Sequence, residues 1–381
     1  MRVCYFGTYR AEYSRNRIMI EGLRRAGVEV VECHQGLWQG FEDREKVASG
    51  GWMRPSFWLR AVRAYLRLLW RYRQVGEYDV LVVGYPGQYD VFLARLLSWL
   101  RRKPLVWDIF MSIYLIALER KLNERSPLSV RLIARIEGLA CRLPDCLILD
   151  TVQYRAWFGK TYGVAAERFR LVPTGADDSV FHPLAKPSHL PSTAAKSRRF
   201  RVVYYGTFIP NHGVPTIVEA ARCLQADEDI GFELIGDGPE KAVAEKLAAE
   251  YHLSNVTFTQ WLSQSELVER VSTADVCLGA FGDTPQSLMT VHNKIYEGMA
   301  MAKAMISGDS PAMRDSFEHG RELYLCERGN PQALAEAIRT LRDNPALCRQ
   351  LSENGYRIFR EKFDLAHIGK LFAEHLREVS K

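Results

Sequence analysis

The chain is poor in the features that announce a metal site or a stapled scaffold. Its eight cysteines, Cys4, Cys33, Cys141, Cys146, Cys223, Cys277, Cys326 and Cys348, are scattered along 381 residues without a CxxC pair. That spacing excludes a zinc ribbon or a dithiol redox motif and points to buried reduced thiols. The nine histidines show no HxxxH or HExxH spacing, so no protein-bound metal is expected. Asp227-Glu228-Asp229 has the outline of a DxD metal motif, but it sits in a polar turn before a strand and reads as a solvated loop. No apolar run approaches the ~18 residues needed to cross a bilayer. The opening MRVCYFGTY has no long apolar stretch followed by a cleavage site and reads as a buried strand, not a signal peptide. A cytoplasmic location is the expectation.

With 47% hydrophobic and 25% charged residues, the composition is that of a globular protein, and the length suits two domains of under ~200 residues each. The net charge of +6 is unevenly spread: 28 lysines and arginines stand against 19 acidic residues through Pro183, leaving 23 against 26 in the remainder. The basic half suggests an anionic partner there.

Short β-branched and aromatic runs alternate with helical patterns, the signature of βαβ units and parallel sheets. Val3 to Phe6, Val28 to Cys33, Val80 to Val83, Pro104 to Trp107, Cys146 to Leu149 and Phe169 to Val172 read as strands. Residues 184–200 are rich in Pro, Ser, Ala and Lys, lack apolar periodicity, and read as a linker. The pattern restarts with Arg201 to Tyr205, Gly231 to Ile235, Val256 to Thr259, Val276 to Leu278 and Ala304 to Ser307. Helices are expected over 331–343, 346–363 and 365–379. The division is therefore 1–183, a linker 184–200, 201–363 and a terminal helix from 364. Two open α/β sheets in tandem are expected to hold a ligand between them, at the carboxyl ends of their strands.

Candidate binding residues cluster at those ends. Gly7-Thr8 follows the first strand and the chain then enters a helix through Ser14-Arg15-Asn16-Arg17, where an anion would be favoured; many α/β proteins turn this way without a ligand. In the second half Gly206-Thr207, Gly236-Asp237-Gly238-Pro239 and Trp261-Leu262 follow successive strands. The glycines are expected to free backbone amides for a nucleotide, while Trp261 either lines a base pocket or closes the core. A helix beginning near Val291 would present its amides and Lys294 to a diphosphate. Glu297, on the face of Asn293 one turn on, could accept both hydroxyls of a ribose. An ordinary surface Lys–Glu pair fits the same spacing.

The ordered motifs YYGTFIPNHG, ELIGDGP, FTQWLSQSEL and VHNKIYEGMAMAKAMISGDSPAMRD, preceded by GYPGQYDVFLARLL, PLVWDIFMSIY and RLVPTGADDSVFHP, resemble glycosyltransferase family 4 over essentially the whole chain. The resemblance implies a GT-B fold of two Rossmann-like domains with the last helix crossing back to the first, a nucleotide-sugar donor, retention of anomeric configuration and no metal or other cofactor. It also implies that Glu297 binds ribose, that Asn293 and Lys294 open the phosphate-facing helix, and that Gly206 belongs to a phosphate loop. A uridine donor is favoured as the commonest base. The chain departs from the family at Thr207 and His212, where arginine and lysine are frequent, at Met289, where a glutamate usually lies near the donor sugar, and at Leu115, where related sequences often have Asp.

On the acceptor side, Asp108 closes a strand and Ser112 and Tyr114 follow it, so this loop is expected to bind acceptor or donor sugar; Asp108 is equally a helix cap. Asp108, Lys294 and Glu297 are the residues expected to carry catalysis, through leaving-group stabilisation and positioning. Residues 57–73 form a helix with Arg60, Arg63, Arg67 and Arg71 on one stripe, Leu59, Val62, Leu66 and Leu69 opposite or beside it, and Trp58, Tyr65 and Trp70 nearby, with no acidic residue. Such a helix suits an anionic bilayer surface and a lipid-linked acceptor, or packs on its own sheet. No helix-turn-helix, RRM or KH signature supports nucleic acid. A nucleotide-sugar 2-epimerase and a catalytically degenerate partner subunit are the rival readings.

Overall fold

The computed structural model describes residues 1–37, 55–184 and 199–381. The chain divides into two compact units, Met1–Thr174 with Leu365–Lys381, and Gly175–Asp364. The first unit thus closes earlier than Pro183, residues 175–183 belonging to the second. Most of the expected linker, 185–198, lies outside the described residues.

The first unit is built on a six-stranded sheet of β1 (Arg2–Gly7), β2 (Glu29–His34), β3 (Val80–Val83), β4 (Leu105–Asp108), β5 (Cys146–Leu149) and β6 (Phe169–Leu171), in the order β2-β1-β3-β4-β5-β6. Its strands pair in parallel. β3 (VLVV) and β5 (CLIL) are buried at every position, because helices cover both faces and no alternation of polar residues is tolerated. Those helices are α1 (Ser14–Arg25), α2 (Pro55–Tyr72), α3 (Asp90–Arg101), α4 (Ile113–Glu119), α5 (Leu122–Arg125), α6 (Pro127–Ala140) and α7 (Val152–Tyr162).

The terminal helix, Leu365–Val379, joins this unit's core through Leu365, Ile368, Phe372 and Leu376. It crosses α1 where a Cβ on Gly369 would lie 1.8 Å from the Gly22 carbonyl oxygen, so the crossing exists only because both residues are glycine.

The second sheet runs β12-β11-β10-β7-β8-β9, with β7 (Phe200–Tyr205), β8 (Ile230–Ile235), β9 (Val256–Thr259), β10 (Val276–Leu278), β11 (Ala304–Gly308) and β12 (Tyr324–Cys326), paired in parallel. The three-residue β12 is a strand that the sequence pattern does not predict. α8 (Val214–Cys223), α9 (Lys241–Glu250), α10 (Gln264–Ser272), α11 (Pro285–Met289), α12 (Asn293–Ala300), α13 (Pro311–Ser316), α14 (Pro331–Asp343) and α15 (Pro345–Lys362) flank it. The strand order reverses between β7 and β10, which opens a crevice at their carboxyl ends, the place where open α/β sheets take ligands.

Candidate nucleotide site at the β7–β10 crevice

Two loops meet at this crevice. Phe281 N–H, after β10, donates to the His212 carbonyl at 2.9 Å, and a Cβ on Gly282 would fall 2.1 Å from Pro210 O. The turn that carries His212 is therefore fixed by backbone contact, with no side chain between.

Gly206 ends β7 with φ +144°, and a Cβ there would sit 2.9 Å from Lys294 Nζ. A Cβ on Gly236 would meet Gly206 O at 2.0 Å. The expectation that these glycines free their amides is corrected: Gly206 N–H donates to Ile235 O at 3.0 Å and Gly236 N–H to Thr259 O at 2.9 Å. What Gly206 supplies is room for Lys294, and what Gly236 supplies is room for the Gly206 carbonyl.

Helix α12 starts at Asn293, two residues later than expected, and its cap His292 makes no side-chain capping bond. Lys294 is buried. Its Nζ lies 4.3 Å from the Tyr204 ring centroid and 3.2 Å from His212 Nδ1. His212 Nδ1 also lies 2.6 Å from the Thr207 carbonyl oxygen, a contact that places the proton on Nδ1 and the lone pair of the neutral ring on Nε2. An ammonium at Lys294 then faces a donor, whereas a neutral amine could accept from it. Burial, partly countered by Glu297, brings Lys294 down to about 7. His212 is held well below the usual histidine range by burial, then by Lys294 and His292. His292 is depressed likewise by burial, then by Lys294 and Arg328, and burial brings Arg328 down to about 10.

Four basic groups thus share one site, each lowered chiefly by its own burial, and an anion placed there would favour their charged forms. Glu297 stands half-buried one turn along α12, close enough to Tyr205 that, after burial, it raises that hydroxyl's pKa; the Tyr205 hydroxyl donates to Lys294 O at 3.2 Å. Asn293 is half-buried beside it.

Other candidates are placed differently. Trp261 is 54% exposed, so it does not close the core, and it follows β9, two strands from β7. Leu262 packs on the core that holds Tyr205 and Ile295. Met289 closes the short α11. Asp227 is paired with Arg339 and Arg342, and Asp229 with Arg342, so the acidic run is a structural ion cluster.

In the first unit the expected ligand contacts are occupied internally. Thr8 N–H donates to Asp90 Oδ2 at 2.7 Å and its hydroxyl to the same carboxylate, and a Cβ on Gly7 would meet Asp90 at 2.6 Å; the anion at this loop is the protein's own. Asp108, expected to bind a sugar, is fully buried and gripped by Arg15, with Nε to Oδ2 and Nη2 to Oδ1 each 2.9 Å. Ser112 caps α4, accepting from Leu115 N–H at 3.0 Å, and donates to Glu137 Oε2 at 2.5 Å. Tyr114 packs on the small core of Ala117, Leu122 and Val130. The three acceptor-side candidates position the loop after β4 and offer no polar atom of Asp108 or Ser112 to a ligand.

Known proteins resemble the chain along most of its length. Residues 186–358 match the family described as Glycosyl transferases group 1, and residues 15–175 match the Glycosyl transferase 4-like domain. The lipopolysaccharide core biosynthesis glycosyltransferase LpsD of Rhizobium meliloti is 30% identical over 43% of this chain, a match that spans 45% of its own length. The α-D-kanosaminyltransferase of Streptomyces kanamyceticus is 26% identical over 78% of this chain and 75% of its own. Among solved structures, HepE of Anabaena in complex with UDP is 17% identical with a TM-score of 0.70, covering 99% of both chains. Sucrose-phosphate synthase of Thermosynechococcus elongatus is 18% identical with a TM-score of 0.74, covering 100% of this chain and 99% of that one. Two Rossmann-like sheets in one chain, with these neighbours, define the GT-B class of fold. The chain belongs to the group 1 glycosyltransferases, with a family-4-like amino-terminal domain.

Proposed function

We propose that the protein transfers a sugar, with retention and without a metal, from a nucleoside-diphosphate sugar, uridine being the favoured base. The observation that carries this reading is the gathering of Lys294, His212, His292 and Arg328 at the β7–β10 crevice with Glu297 one turn along α12. The diphosphate meets these basic groups, and Glu297 accepts the ribose hydroxyls. HepE, solved with UDP, lends support to a uridine donor. Two hydrogen bonds to a carboxylate are worth about 1.5–3 kcal/mol each, so Glu297→Ala is expected to weaken UDP binding by at least ~100-fold with an unchanged melting temperature. Titration of UDP and an assay of acceptor-dependent UDP release test the reading. Release of epimerised sugar without acceptor would replace it with a 2-epimerase, and absence of nucleotide binding with a non-catalytic subunit.

The first unit favours a lipid-linked acceptor at a membrane surface. Helix α2 buries only Ala61, Ala64, Leu68 and Tyr72, whereas Trp58, Leu59, Val62, Leu66 and Trp70 are all more than half exposed. Helix α3 lies alongside, tied by Tyr65 OH donating to Asp90 Oδ1 at 2.8 Å and by Arg101 over the Tyr72 ring at 4.6 Å. It exposes Leu96, Trp99 and Leu100 to the same degree. No helix among the described residues is long and apolar enough to cross a membrane. Four α2 arginines at about 1 kcal/mol each near an anionic surface, with Trp and Leu side chains entering the interface, suffice for peripheral attachment. Wild-type protein is expected to float at low salt with vesicles containing phosphatidylglycerol, and the double variant Leu66→Asp, Trp70→Asp to stay in the pellet. Wild-type protein left unbound would remove the membrane from this scheme.

A further inference from the structure

Beyond Lys294 and His212, two nitrogens at this site have no hydrogen-bond partner among the described residues. Arg328 lies in the turn after β12 and reaches back across the sheet ends: Nε donates to Asp309 O at 2.7 Å, and Nη1 to Gly282 O and Ser287 Oγ at 2.7 Å each. Its stem fills the space above Gly308, where a Cβ would fall 2.6 Å from Arg328 Cγ. Nη2 is buried without a hydrogen bond, as is Nε2 of His292, itself 7% exposed. Arg328 forms no ion pair among the described residues; the carboxylate of nearby Asp309 is spent on Arg314.

These two groups are tied to the phosphate-facing turn. Ser287, which accepts from Arg328, donates to Asn211 O at 2.7 Å, and the rings of His212 and His292 stand 5.0 Å apart at 76°. A guanidinium pinned by two carbonyls and a hydroxyl, with its last nitrogen left bare, is preorganised for one more acceptor. Leaving such a buried donor unsatisfied is unfavourable, and a bound oxygen would relieve it.

Glu297 lies one turn into α12, Lys294 in its first turn and His292 at its cap, while Arg328 reaches the turn of His212 through Gly282 and Ser287. With ribose at Glu297 and diphosphate at Lys294, the next donor group outward is the distal phosphate or the sugar. We propose that Arg328 Nη2 and His292 Nε2 form a subsite for an anionic oxygen at the outer end of the donor, supplied by the distal phosphate or by a carboxylate on the transferred sugar. The proposal rests on the nucleoside-diphosphate-sugar reading above.

Calorimetric titration of UMP, UDP, UDP-glucose and UDP-glucuronate into wild-type protein, Arg328→Gln and His292→Gln tests it. If the distal phosphate fills the subsite, both variants lose at least tenfold in affinity for UDP and both UDP-sugars and keep that for UMP. If a sugar carboxylate fills it, UDP-glucuronate alone weakens. Variants that melt like the wild type and bind all four ligands equally well overturn the subsite, as does an equal loss for UMP, which would mark a disturbed loop. His292→Gln breaks no hydrogen bond at Nε2, so it carries the test should Arg328→Gln fail to fold. A wild-type protein that binds none of the four overturns the donor reading itself.

Discussion

Lys294→Met is expected to weaken UDP binding by ~100- to 1,000-fold at pH 7 and to abolish its pH dependence between pH 7 and 9. Lys294 is buried against Tyr204 and His212, so its ammonium would meet a diphosphate with little water between. Truncating one partner of such a buried charge pair costs about 2–5 kcal/mol. In the free protein burial brings the amine down to about 7; a bound diphosphate raises it again. Between those two values the complex holds one proton more than the free protein, so affinity falls by up to about tenfold for each pH unit above 7. His212 and His292, both held below the usual histidine range by burial, stay outside this window. Calorimetry at pH 8.5 in buffers of different ionisation enthalpy should show uptake approaching one proton in the wild type and none in Lys294→Met; equal uptake in both excludes Lys294 as the proton acceptor. The variant should not unfold. A lysine depressed in the folded state costs stability fully below its folded value and is relieved as pH rises toward its unfolded value, so the methionine removes a penalty at pH 7.

The alternation of strands and helices was legible because parallel strands covered on both faces are unbroken apolar runs, as in VLVV at 80–83 and CLIL at 146–149. Helix starts were legible where asparagine precedes proline: Asn330 and Asn344 both cap their helices from the side chain, with proline in the first turn. β12 was not legible in the sequence, although β6 and β10 are equally short. The site was legible where its residues share a helix turn, as Asn293, Lys294 and Glu297 do. It was not legible where a polar group finds its partner far along the chain. Thr8 and Asp90 are 82 residues apart, Arg15 and Asp108 are 93, and nothing local marks either carboxylate as already spoken for. Arg328 sits in an unremarkable turn, and its claim on the site comes only from Gly282, Ser287 and Asp309 converging on it. On α2 the arginine stripe was visible in the sequence, but not that alanines would face inward and leave both tryptophans outside.

Asp108→Ala is expected to destabilise the protein by about 3–4 kcal/mol, an effect on folding and not on acceptor binding. Asp108 and Arg15 are both fully buried, and Arg15 Nη1 donates to Val172 O at 2.8 Å, holding the loop after β6 to the ends of β4 and α1. Removing one partner of a buried pair leaves an uncompensated charge, at about 3–5 kcal/mol. Asp150, at the end of β5, keeps the loss toward the lower end. Burial pushes Asp150 up to about 7 against the pull of Arg15 and of the Asp150 and Thr151 backbone amides. With Asp108 gone, Arg15 is the cation that draws Asp150 into its ionised form and so recovers part of its lost pairing. Denaturant unfolding at pH 8 reads the effect, and the cycle through Arg15→Met and the double variant isolates the pair: the double variant should be more stable than Asp108→Ala, because it buries no charge without a partner. A residue that bound the acceptor would behave otherwise. Asp108→Ala would then keep the wild-type midpoint and raise the acceptor KM, and Arg15→Met would restore nothing; that pattern would return Asp108 to the acceptor side and leave the buried pair without a role in stability.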